Sequence, residues 1–405
     1  MTDLPAITQK NDDQTGISFT TLTKFGPILF LTTIFFTNFF ARIVPSPLMP
    51  SIETDLDLNH SQAGSLFLVI AAGYFITLMG SGFVSSRINH RRTIVLSATI
   101  LGLAFMATSL SNSLAEIRAG LLVVGMATGL YLPSGIATLT SLISSKHWAK
   151  AIAVHELAPN LAFILAPLVA ELFLYRFSWR AAMVLVGTSS FCIGSAYALL
   201  GKGGDFRGQA PALSSLRPLF RDRKFWIMIA LFSLGISGSV GIYAMLPLYL
   251  VSERGIDPSW TNTLVALSRV IPLVMSLVSG WAADRFGKRP TIALVLLFTG
   301  VSTVLLGTVP GTWVMAAVFL QPVLAVCFFP AALATLSSIG PADARNVVVS
   351  FTIPLSFLMG AGAIPTLIGL LGNMGYFALG LVAAGSLMML GAILVRYLEP
   401  HSKAF

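Results

Sequence analysis

Gly280-Trp281-Ala282-Ala283-Asp284-Arg285-Phe286-Gly287-Lys288-Arg289 lies between two long apolar runs, and 198 residues earlier Gly82-Phe83-Val84-Ser85-Ser86-Arg87-Ile88-Asn89-His90-Arg91-Arg92 lies in the same setting. The chain has 405 residues, so the offset is close to half its length. A charged loop between apolar runs, repeated at half-length, marks two similar membrane bundles. Such bundles usually rock around a site that lies between them.

Composition agrees. Only 10% of residues are charged and 55% are hydrophobic, whereas a soluble domain carries about 25% charged residues. Lipid must solvate much of this surface, and in lipid only helices or a closed barrel satisfy the backbone. The apolar runs are continuous and about 20 residues long, which selects helices. Twelve spans are expected, near 26–48, 62–86, 93–110, 114–142, 150–174, 179–200, 226–250, 260–283, 290–308, 312–338, 346–371 and 374–396. The fold class is therefore an all-α membrane protein, with twelve transmembrane helices in two six-helix bundles related by pseudo-two-fold symmetry.

The net charge of +9 orients the chain and needs no nucleic-acid partner. With the N-terminus inside, nineteen of the 25 Lys and Arg fall on one side, including Lys10, Lys24, Arg217, Arg345, Arg396 and Lys403. Arg118, Arg176, Arg180 and Arg254 fall on the other. This asymmetry places both termini in the cytoplasm of a multi-pass inner-membrane protein. The segments are a polar cytoplasmic tail 1–25, a bundle 26–200, a basic cytoplasmic linker 201–225, a bundle 226–397 and a tail 398–405. Residues 1–24 are too polar for a secretory signal peptide. Cys192 and Cys327 both lie in apolar runs, so no disulfide is expected. No metal-type cluster and no cofactor motif is visible.

Twelve spans, a central linker and the repeated loop resemble the major facilitator superfamily over residues 24–400. The second loop matches that family's signature at Gly280, Asp284, Arg285, Gly287, Lys288 and Arg289. The first keeps Gly82, Arg87, Arg91 and Arg92, but has Ser86 where the family usually has Asp and Asn89 where it usually has Gly. The resemblance implies conformational gating by these loops. A plainer role is to hold the loops in the cytosol by charge. The stretch Asn38 to Arg42 together with Ala72-Gly73-Tyr74 is similar to the organic anion–cation symporter branch, whose span-one Arg and span-two Tyr contact an anionic substrate. Many members of that branch carry an acid just before the Arg, where this chain has Ala41.

Charge inside an apolar span is costly and needs a reason. Arg42 lies in span one, and Arg269 lies about 13 Å into span eight. No acid is near either in sequence. The guanidinium is always charged, and its planar fork matches a carboxylate. Two such groups from opposite halves would clamp an anion, whereas snorkelling to the interface or bonding to helix carbonyls would be purely structural. Asn38, Tyr74, Tyr131 and Tyr243 are expected to complete the cavity. His155-Glu156 lies about 8 Å into span five and reads as a buried pair for proton coupling or for the inner gate. Glu171, near the outer end of span five, is expected to be solvated.

Secondary active transport of a small organic anion follows, with a carboxylate as the natural substrate and a coupled proton or counter-anion. The protein is expected to work as a monomer in the bilayer. The alternative is a proton-driven exporter of drugs or hydrophobic metabolites, but no central acid in spans one or seven serves a cationic drug. A membrane enzyme would need a catalytic constellation, and none is present.

Overall fold

The computed structural model describes residues 26–209, 220–337 and 345–398. The tail 1–25, the middle of the linker and most of the final tail lie outside them, together with Lys10, Lys24, Arg217 and Lys403. Among the described residues, eleven helices are long and apolar enough to cross a membrane: Gly26–Asp55, His60–Ile88, His90–Thr108, Leu114–Ser141, Lys150–Arg176, Trp179–Leu200, Arg223–Ser252, Lys288–Thr308, Gly311–Leu336, Val348–Asn373 and Phe377–Tyr397. Pro258–Met275 and Leu277–Phe286, bent by 40°, form another span. In chain order these are spans one to twelve, with the bent pair as span eight.

Local chemistry sets where the helices begin. Asn59 and Gln62 form a capping box at the start of span two. Ser113, Ser178 and Asp222 cap spans four, six and seven. Asp257 caps span eight and Pro258 opens it.

The half-chain repeat is visible in the packing. A Cβ on Gly102 would lie 2.7 Å from the Gly187 carbonyl, and one on Gly300 would lie 2.5 Å from the Gly385 carbonyl. Both glycines of the first pair recur 198 residues later, at the offset of the loops. Spans three and six therefore touch backbone to backbone, as do spans nine and twelve, the close approach that small residues permit in membranes. The loops repeat as well. Asn89 has φ 75° and Gly287 has φ 95°, while Thr93 and Thr291 each donate to the carbonyl of that turn residue. Asn89 stands where the resemblance expects Gly, the residue that adopts such a positive φ most readily.

Among the described residues, the apolar core shared by the two halves lies away from the repeated loops. The largest apolar core runs through both, from Phe39 and Ile43 to Tyr243, Leu264 and Phe377. Near the repeated loops it gives way to two separate cores. One is built around Leu31, Leu139 and Tyr197, the other around Phe232, Phe328 and Val395. Across the closed face Ser46 donates to the Tyr243 carbonyl at 2.7 Å and Thr366 to the Gly64 carbonyl at 3.2 Å. Glu171 accepts from Ser259 at 2.6 Å and from Asn262 at 3.3 Å. Glu171 is thus a bridge between the halves and not the solvated side chain expected from its position. On the loop face, Leu157, Leu161, Val274 and Leu277 are exposed.

Candidate substrate site between the halves

Proline shapes the site. Pro45 and Pro272 lack the N–H that would bond four residues back, so the helix breaks just before each. Arg42 and Arg269 each lie three residues ahead of such a proline, as Arg42-Ile43-Val44-Pro45 and Arg269-Val270-Ile271-Pro272. Arg269 is the C-cap of the helix Pro258–Ser268 that opens span eight. The shared Arg-x-x-Pro pattern was present in the sequence and is the local signal that both cations sit at helix breaks.

Neither cation has a carboxylate salt-bridge partner among the described residues. The Arg42 guanidinium stacks over Tyr74 at 4.4 Å and Phe39 at 4.7 Å, with Phe357 from the other half at 5.4 Å. Its Nε and Nη1 are buried without a hydrogen-bond partner. Arg269 is 5% exposed and lies 4.8 Å from both Phe163 and Tyr243. One of its nitrogens donates to the Ser239 carbonyl at 3.4 Å, and Nε and Nη2 have no partner. Such rings attract a cation through their faces, but a buried N–H left unpaired remains costly.

The two guanidinium groups belong to one aromatic cluster. Phe39 touches Arg42 and packs on Phe163 at 5.3 Å, and Phe163 packs on Tyr243 at 4.9 Å beside Arg269. A cavity of about 30 Å³ lies between Arg42 and Tyr74 of the first half and Tyr243 and Phe357 of the second. It has room for a water but not for a larger guest. Arg269 lies behind Tyr243 and outside this lining. The Tyr243 hydroxyl is buried and unpartnered.

The second half supplies irregular helix as well. Span seven is wound as a π-helix over Ser237–Gly241 and span eleven over Leu358–Ala363, and these segments pack together. π segments are frequent at functional sites. Gln321 donates to the Gly238 carbonyl at 2.7 Å, so Gln321 and Arg269 both serve carbonyls of the π segment in span seven. The π character of span seven was not legible in the sequence.

Other expected site residues lie elsewhere. Asn38 is buried and donates to the Thr128 carbonyl at 3.2 Å, within the first half. Tyr131 is buried toward the loop face; its hydroxyl lies 2.7 Å from the Leu31 carbonyl and 3.0 Å from His155 Nε2. His155 is wholly buried, but Glu156 is half-exposed, so the expected buried pair is a buried imidazole beside a solvated carboxylate. The helix breaks at Glu156, whose carboxylate nevertheless lies 3.7 Å from His155 Nδ1.

In the first loop, Gly82 lies in span two, Arg87 and Arg92 are exposed, and Arg91 pairs with Asp205 at 3.5 Å. The linker thereby brings a carboxylate to the loop that has Ser86 in place of Asp. In the second, Gly280 lies in span eight, Asp284 and Arg285 are exposed, and Arg285 lies 6.0 Å from the Trp281 ring. Lys288 donates to the Ala334 carbonyl at 3.2 Å across the Gly287 turn, and Arg289 Nη2 is buried without a partner. No acid of the opposite half pairs with either loop among the described residues.

The chain matches the model of the Major Facilitator Superfamily over residues 31–271 and again over 241–405. It is 24% identical over 323 residues to the "Probable sulfoacetate transporter SauU" of Cupriavidus necator, covering 73% of this chain and 74% of that one. It is 25% identical to the "Probable 4-methylmuconolactone transporter" of Cupriavidus pinatubonensis, covering 82% of each. The "Multidrug resistance protein MdtL" of Escherichia fergusonii is 21% identical, over 60% of this chain and 62% of that protein. Among solved structures, an inward-facing, occupied bacterial homolog of the human lysosomal transporter Spinster superposes with a TM-score of 0.79 at 16% identity, over 91% of this chain and 95% of that one. The doubled family match, the twelve apolar spans and the half-chain symmetry have one meaning: the chain belongs to the Major Facilitator Superfamily and is a multi-pass membrane transporter, not an enzyme.

Proposed function

We propose that this transporter moves a small organic acid anion by alternating access, with the repeated loops on the cytoplasmic face. The observation that carries the proposal is a pair of guanidinium groups between the halves, each with two buried nitrogens that have no partner. An anion that accepted from them would satisfy those donors, and Tyr74 and Tyr243 would flank it. Bundles 26–200 and 226–397 rock about this region while the linker 201–225 joins them. With Lys and Arg concentrated at the loop face and the cores of the two halves separate there, the arrangement is consistent with an inward-open state, and the cavity of about 30 Å³ would have to widen to hold a substrate. The loops at Arg87 to Arg92 and Asp284 to Arg289 would meet when that face closes. Relatives named for sulfoacetate and methylmuconolactone support the substrate class.

The test is a thermal-shift screen of purified protein against sulfoacetate, mono- and dicarboxylates, neutral sugars and lipophilic cations, with Arg269→Ala in parallel. A ligand that binds only the folded state raises its stability by mass action. Stabilisation by one acid class, lost in the variant, is expected. Stabilisation by lipophilic cations alone, unchanged in Arg269→Ala, would favour the drug-export reading that similarity to MdtL supports.

A further inference from the structure

We propose that His155 carries the proton coupled to anion movement, with Nδ1 as the accepting atom and Glu156 as its link to the loop face. This deepens the anion-transport reading and rests on it. Hydrogen counting fixes the tautomer. The Tyr131 hydroxyl has one hydrogen and two neighbours, the Leu31 carbonyl at 2.7 Å and His155 Nε2 at 3.0 Å. A carbonyl can only accept, so the hydroxyl donates to Leu31. His155 Nε2 must then carry the hydrogen that joins it to Tyr131. In a neutral imidazole of this form, Nδ1 holds the free lone pair. That atom is buried and has no hydrogen-bond partner, and Glu156 Oε1 lies 3.7 Å from it.

The setting holds the ring in place. Phe35 stacks on it at 4.2 Å with 7° between planes, and Tyr131 is parallel at 5.9 Å. The ring is wholly buried, whereas Glu156 is 52% exposed and can relay a proton from water. The charged and titratable groups on the surrounding elements are Arg42, Glu53 and Asp55 on span one, Glu116, Arg118 and Tyr131 on span four, Arg180, Cys192 and Tyr197 on span six, Lys146 and His147 ahead of span five, and Lys150 and Glu156 within it. Glu171 and Arg176 lie at the far end of span five. Of these, Tyr131 and Glu156 contact the ring.

Coupling follows from Glu156. Its carboxylate lies beside the ring that Phe35 joins to Phe39 at 6.4 Å, and Phe39 in turn lies 4.7 Å from the Arg42 guanidinium. While His155 is neutral, that carboxylate opposes an anion at Arg42. When Nδ1 takes up a proton, the imidazolium offsets the carboxylate and the opposition falls. Proton and anion then favour each other's binding, and they cross together in the same direction.

The test uses the full chain and His155→Gln, whose amide N–H can replace the donor to Tyr131 but cannot titrate. In ¹⁵N-histidine spectra without any anion, the signals absent from the variant should show hydrogen on Nε2 in the neutral form and a second hydrogen, on Nδ1, as the pH is lowered. They should also respond to Glu156→Gln. Hydrogen on Nδ1 in the neutral form, or no protonation at any pH at which the protein stays folded, overturns the proposal. In proteoliposomes, sulfoacetate uptake by the unaltered protein should acidify the lumen, and His155→Gln should keep sulfoacetate exchange while losing the acidification. Unchanged proton movement per sulfoacetate in the variant also overturns it. If the unaltered protein binds neither sulfoacetate nor the carboxylates, the anion assignment fails on its own, and the spectra still decide the proton site.

Discussion

Replacing Arg42 by methionine should make the empty protein more stable and the transporter inactive. Arg42 is a largely buried cation with no ion pair, held by Tyr74, Phe39 and Phe357. Cation–π contacts contribute about 2 kcal/mol when desolvated, while the effective penalty for removing an ion from water is several kcal/mol. Methionine would keep the same rings in contact through its sulfur, at about 0.3–1.5 kcal/mol for each S–aromatic contact, and would remove two unpaired donors. Replacing buried ionic groups with well-packed apolar ones has stabilised proteins by about 1–4 kcal/mol, and a gain in that range is expected. Binding should move the other way. Two unpartnered nitrogens, Nε and Nη1, await an acceptor, and each charge-assisted bond contributes about 1.5–3 kcal/mol. Their loss is about 3–6 kcal/mol, or roughly 10²- to 10⁴-fold in affinity. Scanning fluorimetry with and without sulfoacetate, followed by equilibrium dialysis, reads both quantities. A lower melting temperature for empty Arg42→Met, combined with an undiminished sulfoacetate shift, would refute the reasoning. Arg42→Lys separates charge from geometry, since it keeps the first and loses the planar fork.

Glu171→Ala removes the acceptor for Ser259 and Asn262 and should loosen the closed face by about 1–2 kcal/mol. Spin labels at exposed Leu172 and Trp260 should report a longer distance population, and an unchanged distribution would count against that bridge. Gly102→Ala and Gly300→Ala place a Cβ 2.7 Å and 2.5 Å from a facing carbonyl. Each should cost about 1–3 kcal/mol through overpacking, and the two should add because they lie in different halves; unaltered melting would show that these contacts can relax. Gly287→Ala forces a side chain into φ 95° and should cost about 1–2 kcal/mol. Asn89→Gly at the equivalent turn should cost less, and melting curves that reverse this order would undo the turn argument.

Span number and span positions follow from composition, because lipid leaves the backbone few options. The cations Arg42 and Arg269 stand out for the same reason. Harder to see was what depends on contacts between distant residues. Glu171 looks solvated from its place near a helix end, and only span eight brings Ser259 and Asn262 to it. Glu156 looks as buried as its neighbour, but a turn in the helix at that residue exposes it. Asn38 has the polarity of a cavity residue, yet its amide is spent on the Thr128 carbonyl of the same half. The π winding of spans seven and eleven has no fixed periodicity to detect, and glycine alone does not predict it.

The glycine pairs joining span three to six and nine to twelve have a mechanical consequence. With backbones in direct contact, these spans have no compliant side-chain layer to absorb shear, so each half behaves as a stiff lever. The Arg42 and Arg269 region then acts as the fulcrum. An arm from mid-membrane to either surface is about 15 Å long. A tilt of roughly 10° at the fulcrum displaces the far end of such an arm by about 2–3 Å, and two halves tilting in opposite senses double that gap. A shift at the fulcrum small enough to leave the aromatic cluster in contact is therefore sufficient to open a passage at the surface.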